Sequence, residues 1–388
     1  MGRLNTVKLT LWCIIILAIL SCMAVFTLYP LVPTTRFFYV LLFGAILINC
    51  RHWECLFELK NKWFLAVFIG LFMSVAIISF CLDDPPNSSF FRDLLLTSIF
   101  LFLKEEHRYY VFHYFIKILA ALLLIGIIEY LISVCFAPTL YWGKVYYADG
   151  YVSFYQTLLN YYPVDYWMKV YRFQGFMDEP GRVGTFCAFL LFILDSSRYR
   201  KEYAVFLLAG LLSFSFAFYI LFFMYIALNL KNLKQVLVIV LVLGVMYALF
   251  YEYVNNYIID RFTGVQKADN RTTAAFDTAF TEFLNSKNLF FGKGLTASYD
   301  FVNNSSVKCV LYNLGLWGLG WYIIVFSLLF LQCTKISFKH LVVLLVYWMS
   351  FYQRPTYNYL PVTVLFFAYS LSDLYFPKNK KGNVVSEL

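Results

Sequence analysis

The feature that most constrains this chain is its succession of apolar runs, centred on roughly 9–29, 35–50, 63–82, 90–103, 110–136, 182–195, 203–214, 216–230, 233–254, 307–333, 340–352 and 356–376. A helix rises about 1.5 Å per residue and needs about 20 apolar residues to cross about 30 Å of hydrocarbon, whereas a membrane strand needs about ten in alternation. Unbroken runs of this length predict helices rather than a barrel. The expected fold is all-α, a polytopic transmembrane helix bundle of about 12 spans. It forms a single integral membrane domain over 1–388, with two long loops at 137–181 and 255–306.

Composition points the same way. The chain is 62% hydrophobic and 14% charged, against about 45–50% and about 25% in soluble domains. The net charge of +9 sits in short Lys and Arg clusters between the apolar runs, which membrane orientation explains without nucleic acid as a partner. Cysteines such as Cys13, Cys22, Cys81, Cys187 and Cys333 lie in or beside the runs with no CxxC and no metal spacing, and read as buried apolar side chains. The first run, Leu9 to Tyr29, is too long for a secretory signal and is followed by no small-residue cleavage site.

Alternating the connections between two sides gathers the basic clusters on one of them: Arg51, Lys60, Lys104, Arg108, Arg200, Lys201, Lys335 and Lys380. That side is cytoplasmic by the positive-inside rule, and both termini lie there. The two long loops fall on the opposite side. Chemistry is expected in them, since the spans are nearly free of charge except for Lys117 and Glu129. Either of these two has a structural reading, Lys117 by snorkelling and Glu129 by pairing or staying protonated.

The first loop carries Tyr141, Trp142, Tyr146, Tyr147, Tyr151, Tyr155, Tyr161, Tyr162, Tyr166, Trp167 and Tyr171. Rings with a polar tip suit a membrane interface and also the C–H faces of sugars, so both readings stand. The loop ends in Arg172-Phe173-Gln174-Gly175-Phe176-Met177-Asp178-Glu179-Pro180-Gly181-Arg182, with Pro180 and Gly181 fitting the first positions of a helix whose dipole favours an anion. Its charges either pair as Arg172–Glu179 or Arg182–Asp178 to tie the loop down, or do chemistry. In the second loop Arg261 and Arg271 flank a polar turn, and Thr272 to Asn285 predicts a helix with Ala275, Phe276, Ala279, Phe280, Phe283 and Leu284 on one face. Gly292-Lys293-Gly294 then reads as a plain turn, because a phosphate loop needs further glycine spacing and a following Ser or Thr. Arg354 lies in a short turn on the same side of the membrane.

These pieces, taken in order, resemble the bacterial O-antigen polymerase and ligase superfamily, and Wzy-type oligosaccharide repeat-unit polymerases in particular. The resemblance rests on the run from Arg172 to Pro180, on Ser213-Phe214-Ser215, and on Arg271 leading a helix to Phe291-Gly292-Lys293-Gly294. It rests also on Asn304-Ser305 and on the Leu-Gly-Leu-Trp-Gly stretch ending at Gly318. It implies a GT-C-like glycosyltransferase of the bacterial inner membrane that joins undecaprenyl-diphosphate-linked repeat units of O-antigen or capsule on the periplasmic face. It implies as partners those lipid-linked glycans, a flippase and a chain-length regulator. The ligase branch carries a His where Asn303 stands here, which favours polymerase over ligase.

Such a transfer needs a clamp for the diphosphate and an acceptor for the proton of the incoming hydroxyl. Arg172, Arg271 and Arg354 are the expected clamp, with Arg182 and Arg261 in reserve, because a guanidinium stays charged and grips phosphate in two places. Glu179 is the first candidate base and Asp178 the second. No metal or other cofactor is called for by these residues. The rival from another class is a lipid-linked oligosaccharide flippase, which should place polar or broken helices within the bilayer and keep its outer loops short.

Overall fold

The computed structural model describes residues 2–23, 33–49, 56–57, 62–82, 88–136, 143–146, 153–156, 158–163, 172–177, 179–229, 241, 244–245, 247–249, 251–255, 259, 263, 272–295, 297–301, 306–331, 338–353, 355 and 360–375. These are mostly helical. In chain order the longer helices are α1 (Gly2–Cys22), α2 (Pro33–Asn49), α3 (Lys62–Cys81), α4 (Ser88–Phe102), α5 (Glu105–Phe136), α6 (Pro180–Ile193), α7 (Arg200–Leu212), α8 (Phe216–Asn229), α9 (Ala274–Leu284), α10 (Val307–Leu331), α11 (Phe338–Gln353) and α12 (Leu360–Tyr375). The expected span at 233–254 falls mostly outside the described residues.

Two of these helices are long and apolar enough to cross a membrane, over Glu105–Val134 and Val307–Leu328. Thr6–Cys22, Asp93–Phe102, Pro180–Ile193, Phe216–Asn229 and His340–Tyr352 are shorter apolar helices of 10–17 residues. In α5 the exposed face, Lys117, Ala121, Leu124, Ile125, Ile128, Leu131 and Ile132, is almost as apolar as the buried face of Phe115, Leu119, Leu123, Ile127 and Tyr130. A helix apolar all round belongs in apolar surroundings on every side, which fits contact with lipid. The exposed stripe Phe338, Leu341, Leu345, Met349 and Tyr352 repeats the pattern on α11.

Residues 1–18, 38–113 and 269–388 form one compact unit, and residues 19–37 and 114–268 another. In the first, α10 packs against α3, α11 and α12. Aromatic rings hold this packing together: Phe326 stacks on Tyr347 with centroids 4.1 Å apart, and the buried hydroxyls of Tyr322 and Tyr347 share a 2.6 Å hydrogen bond. In the second unit, α6 packs against both α7 and α8. Close approach is possible there because α6 and α7 offer glycine at the crossings. A Cβ on Gly184 would fall on the Ser215 side chain, and one on Gly210 would fall on the Phe218 ring.

One element departs from the all-helical expectation. The first long loop contains a three-stranded antiparallel sheet, β1 (Gly143–Tyr146), β2 (Ser153–Gln156) and β3 (Tyr161–Pro163), in the order β1-β2-β3. Its register sets Lys144 opposite Tyr155 and Tyr155 opposite Tyr162. Aromatic residues favour strands, so the tyrosines that marked this loop as special also carry its β structure.

Candidate functional site

The site in the second unit is built from the run at 172–182 and the elbow between α7 and α8. Glu179 is the N-cap of α6, in extended conformation (φ −144, ψ 142), and Pro180 takes the first helical position as the sequence predicts. The proline itself imposes the extended backbone on Glu179, since its ring disfavours the helical region for the preceding residue. Upstream, Gly175 (φ +55) allows a turn closed by Met177 N–H donating to Gln174 O at 3.2 Å and by Gln174 Nε2 donating to Met177 O at 3.3 Å. Phe173, Phe176 and Met177 are buried, so the turn is packed in place rather than hanging at the surface.

The carbonyls that end α7 hold this run. A helix C-terminus leaves carbonyls without intrahelical donors and carries partial negative charge. Here Leu211 O accepts the Tyr219 hydroxyl at 2.9 Å, Leu212 O accepts Phe173 N–H at 2.9 Å, and Ser213 O accepts Arg172 Nε–H at 3.1 Å. The half-buried guanidinium of Arg172 is thus fixed by a helix end that favours a cation. The chain reverses at once through Phe214, whose left-handed φ of +44 is unusual for a non-glycine residue and whose ring is fully buried. Ser213 Oγ donates to Gly210 O at 2.6 Å and accepts Ser215 N–H at 3.3 Å, which closes the elbow.

The Arg172 run and the Ser213-Phe214-Ser215 run, some 40 residues apart in sequence, are therefore one bracket. Glu179 is exposed at its mouth and Arg182 lies half-buried in the first turn of α6. Asp178, Arg261, Arg271 and Arg354 fall outside the described residues, as do Asn303, Asn304 and Ser305.

Glu129 serves the loop. Its carboxylate accepts Leu158 N–H at 2.7 Å, Leu159 N–H at 2.9 Å and Asn160 Nδ2 at 2.9 Å. Asn160, almost fully buried, also donates to Gly126 O at 2.8 Å. The partners of Glu129 are backbone amides of the β2–β3 turn and an asparagine rather than a cation. Lys117 lies exposed on the apolar face of α5.

A second construction stands in the first unit. The predicted amphipathic helix is α9, capped by Thr273, whose hydroxyl accepts Phe276 N–H at 3.3 Å. Phe276 and Phe283 bury against Cys309 and Tyr312 of α10, with Phe280 beside them, while Ala275 and Leu284 stay exposed. The helix therefore caps the start of α10 with a narrower face than the sequence indicates.

Beyond it, α10 is broken at Gly315 (φ +65, ψ −177) and the glycine-rich segment at 290–294 enters the break. Lys293 N–H donates to Tyr312 O at 2.8 Å, Gly294 N–H donates to Asn313 O at 3.2 Å, and Trp317 N–H donates to Phe290 O at 2.9 Å. Carbonyls that a continuous helix would satisfy four residues later are satisfied instead by the inserted segment. The backbones touch: a Cβ on Gly292 would fall on Asn313 O, and one on Gly315 on Phe290 O and Gly292 N. The buried Asn313 amide completes the lock, accepting Ser298 N–H at 2.8 Å and donating to Leu295 O and Ser298 Oγ at 3.0 Å each. Leu295 N–H in turn donates to Ser79 Oγ of α3 at 2.9 Å. The glycine segment that reads as a plain turn is one half of an interlock, and the Leu-Gly-Leu-Trp-Gly stretch supplies the other. The signal for it in the sequence is a pair of glycine-punctuated runs, one in a loop and one inside a span.

Comparison with family models, curated proteins and solved structures finds no match.

Proposed function

We propose that this chain is an inner-membrane oligosaccharide repeat-unit polymerase, which joins undecaprenyl-diphosphate-linked units on the periplasmic face while both termini stay in the cytoplasm. The observation that carries this reading is the bracket itself. A guanidinium held through Nε keeps its fork in one plane, and Arg172 is held in this way at the entry of a helix whose N-cap carboxylate, Glu179, is exposed. The motif order that resembles repeat-unit polymerases supports the same reading.

In this scheme the acceptor hydroxyl oxygen attacks the anomeric carbon of the donor glycan. A new C–O bond forms, the bond from that carbon to the diphosphate breaks, and undecaprenyl diphosphate leaves with the electron pair. The hydroxyl proton passes to the Glu179 carboxylate, with Asp178 as the alternative acceptor. Arg172 stabilises the charge that develops on the diphosphate, and the sequence offers Arg271 and Arg354, then Arg182 and Arg261, as further cations for this task; such stabilisation is usually the largest catalytic term. Because Arg172 also caps α7, Arg172→Lys keeps the cation while losing the fork, and separates the two roles.

Arg172→Ala, Arg271→Ala and Glu179→Ala, each expressed in the native host at normal membrane levels, should leave single repeat units in place of long polysaccharide. Normal chain lengths in all three overturn the proposal. The break in α10 at Gly315 favours one second reading, the lipid-linked oligosaccharide flippase, because broken helices mark transporter sites. Deleting a flippase removes even single periplasmic units, whereas deleting a polymerase leaves them.

A further inference from the structure

Two parts of the first long loop meet on one stretch of α5. The β2–β3 turn is clasped there by Glu129 and by the Gly126 carbonyl, through Leu158, Leu159 and Asn160. The Arg172 bracket arrives at the same place, with Phe173 edge-on to Tyr130 at 5.6 Å between centroids. Gly126 is where they meet: a Cβ built on it would lie 3.6 Å from Phe173 Cζ and 3.8 Å from Asn160 Oδ1. The turn joining two strands of the tyrosine-bearing sheet is therefore the immediate neighbour of the segment that carries Arg172.

The clasp is stronger than an interfacial anchor requires. Three hydrogen bonds converge on the Glu129 carboxyl group, at 2.7, 2.9 and 2.9 Å. Glu129 lies about 10 Å before the end of α5, so the turn is drawn in along the helix rather than resting at its tip. Holding a binding surface rigid removes the ordering cost that a mobile loop would meet on binding. What such a surface holds follows from its neighbour. A saccharide joined to a diphosphate begins one bond from the phosphate and must extend over whatever adjoins the clamp. The β2–β3 turn lies beside Phe173, the residue that follows Arg172, and the strands it joins pair Tyr155 with Tyr162 and Tyr161 with Gln156, residue types suited to sugar C–H faces and hydroxyls.

Resting on the reading of Arg172 as a diphosphate clamp, we propose that the β1–β3 sheet is the platform for the saccharide joined directly to that diphosphate, and that Glu129 is the positioning residue that holds it there. The test uses the full chain in lipid nanodiscs and two probes: undecaprenyl diphosphate, and lipid-linked single repeat units extracted from the native host deleted for this gene. Glu129→Gln weakens binding of the repeat unit about tenfold and leaves undecaprenyl diphosphate within about twofold, since one of the two accepting oxygens is replaced by a donating amide while the clamp is kept. Asn160→Ala shifts binding in the same direction by about threefold and decides the matter if the first variant does not accumulate. Arg172→Ala weakens both probes. A spin label at the exposed position 158 moves faster in Glu129→Gln than in the wild-type background.

Repeat-unit affinity unchanged in both loop variants overturns the platform. Equal loss of the two probes, or lost glycan affinity with unchanged motion at 158, overturns the positioning role. Arg172→Ala binding both probes normally overturns the clamp and with it the proposed function, while the motion at 158 still reports on the clasp.

Discussion

Replacing Gly315 by Ala strikes the interlock where two backbones touch. At φ +65 and ψ −177 a residue with a side chain is strained by about 1–3 kcal/mol. The new Cβ would also fall on Phe290 O and Gly292 N, which are backbone atoms and cannot swing aside as a side chain can. Parting them weakens the bonds from Trp317 N to Phe290 O, from Lys293 N to Tyr312 O and from Gly294 N to Asn313 O, at about 1 kcal/mol each. The total is about 3–5 kcal/mol, because some of these bonds survive by adjustment. The assay is unfolding of the purified protein in detergent, followed by tryptophan fluorescence. Gly320→Ala is the internal control: it lies in the same helix, and nothing stands within 4 Å of its added Cβ. Gly320→Ala should fall within about 0.5 kcal/mol of the parent, and Gly315→Ala should lower the midpoint by roughly 5 °C. If the two variants unfold together, the break in α10 is not a locked feature.

The other consequences concern the same unit. Asn313→Ala removes partners from Ser298 N–H and Leu295 O in a buried site, so about 2–4 kcal/mol should be lost in the same unfolding assay. Lys308→Ala breaks a 2.8 Å ion pair with Asp277, but the two side chains are 37% and 45% exposed, so the loss should stay below about 1 kcal/mol and shrink with added salt.

How much of this was legible in the sequence depended on whether the cause was local. The apolar run at 182–195, opened by Pro180 and Gly181, gave α6 to within two residues, because proline at the first turn and an unbroken apolar stretch are signals carried by neighbours in the chain. The helix expected over Thr272 to Asn285 is α9, which starts one residue after its Thr273 cap and ends at Leu284 before Asn285. The sheet was missed: strands of three or four residues are too short to show alternation, and their tyrosines also fit an interface. The clasp on Glu129 was invisible because two of its three donors are backbone amides some 30 residues away, and a backbone N–H has no letter in the sequence. The interlock lay between. Its glycines could be seen, but the reason for them, two main chains in contact, exists only in three dimensions. For Arg172 the sequence leaves a charge near hydrocarbon that is either paired or used, and the structure gives its Nε–H the carbonyl end of α7, a backbone partner that no residue letter shows.

The central claim is that Arg172 grips a lipid-borne diphosphate while a glycan is transferred from it. The most direct measurement is single-turnover transfer by the purified protein in proteoliposomes supplied with lipid-linked repeat units, scored for lengthened glycan and for released undecaprenyl diphosphate. The account predicts that the two appear in equal amounts with the wild-type protein, and that Arg172→Lys slows both by about 100-fold or more, as loss of one stabilising donor does in other active sites. Lengthening at the wild-type rate in Arg172→Lys, or no lengthening by the wild-type protein, would contradict it.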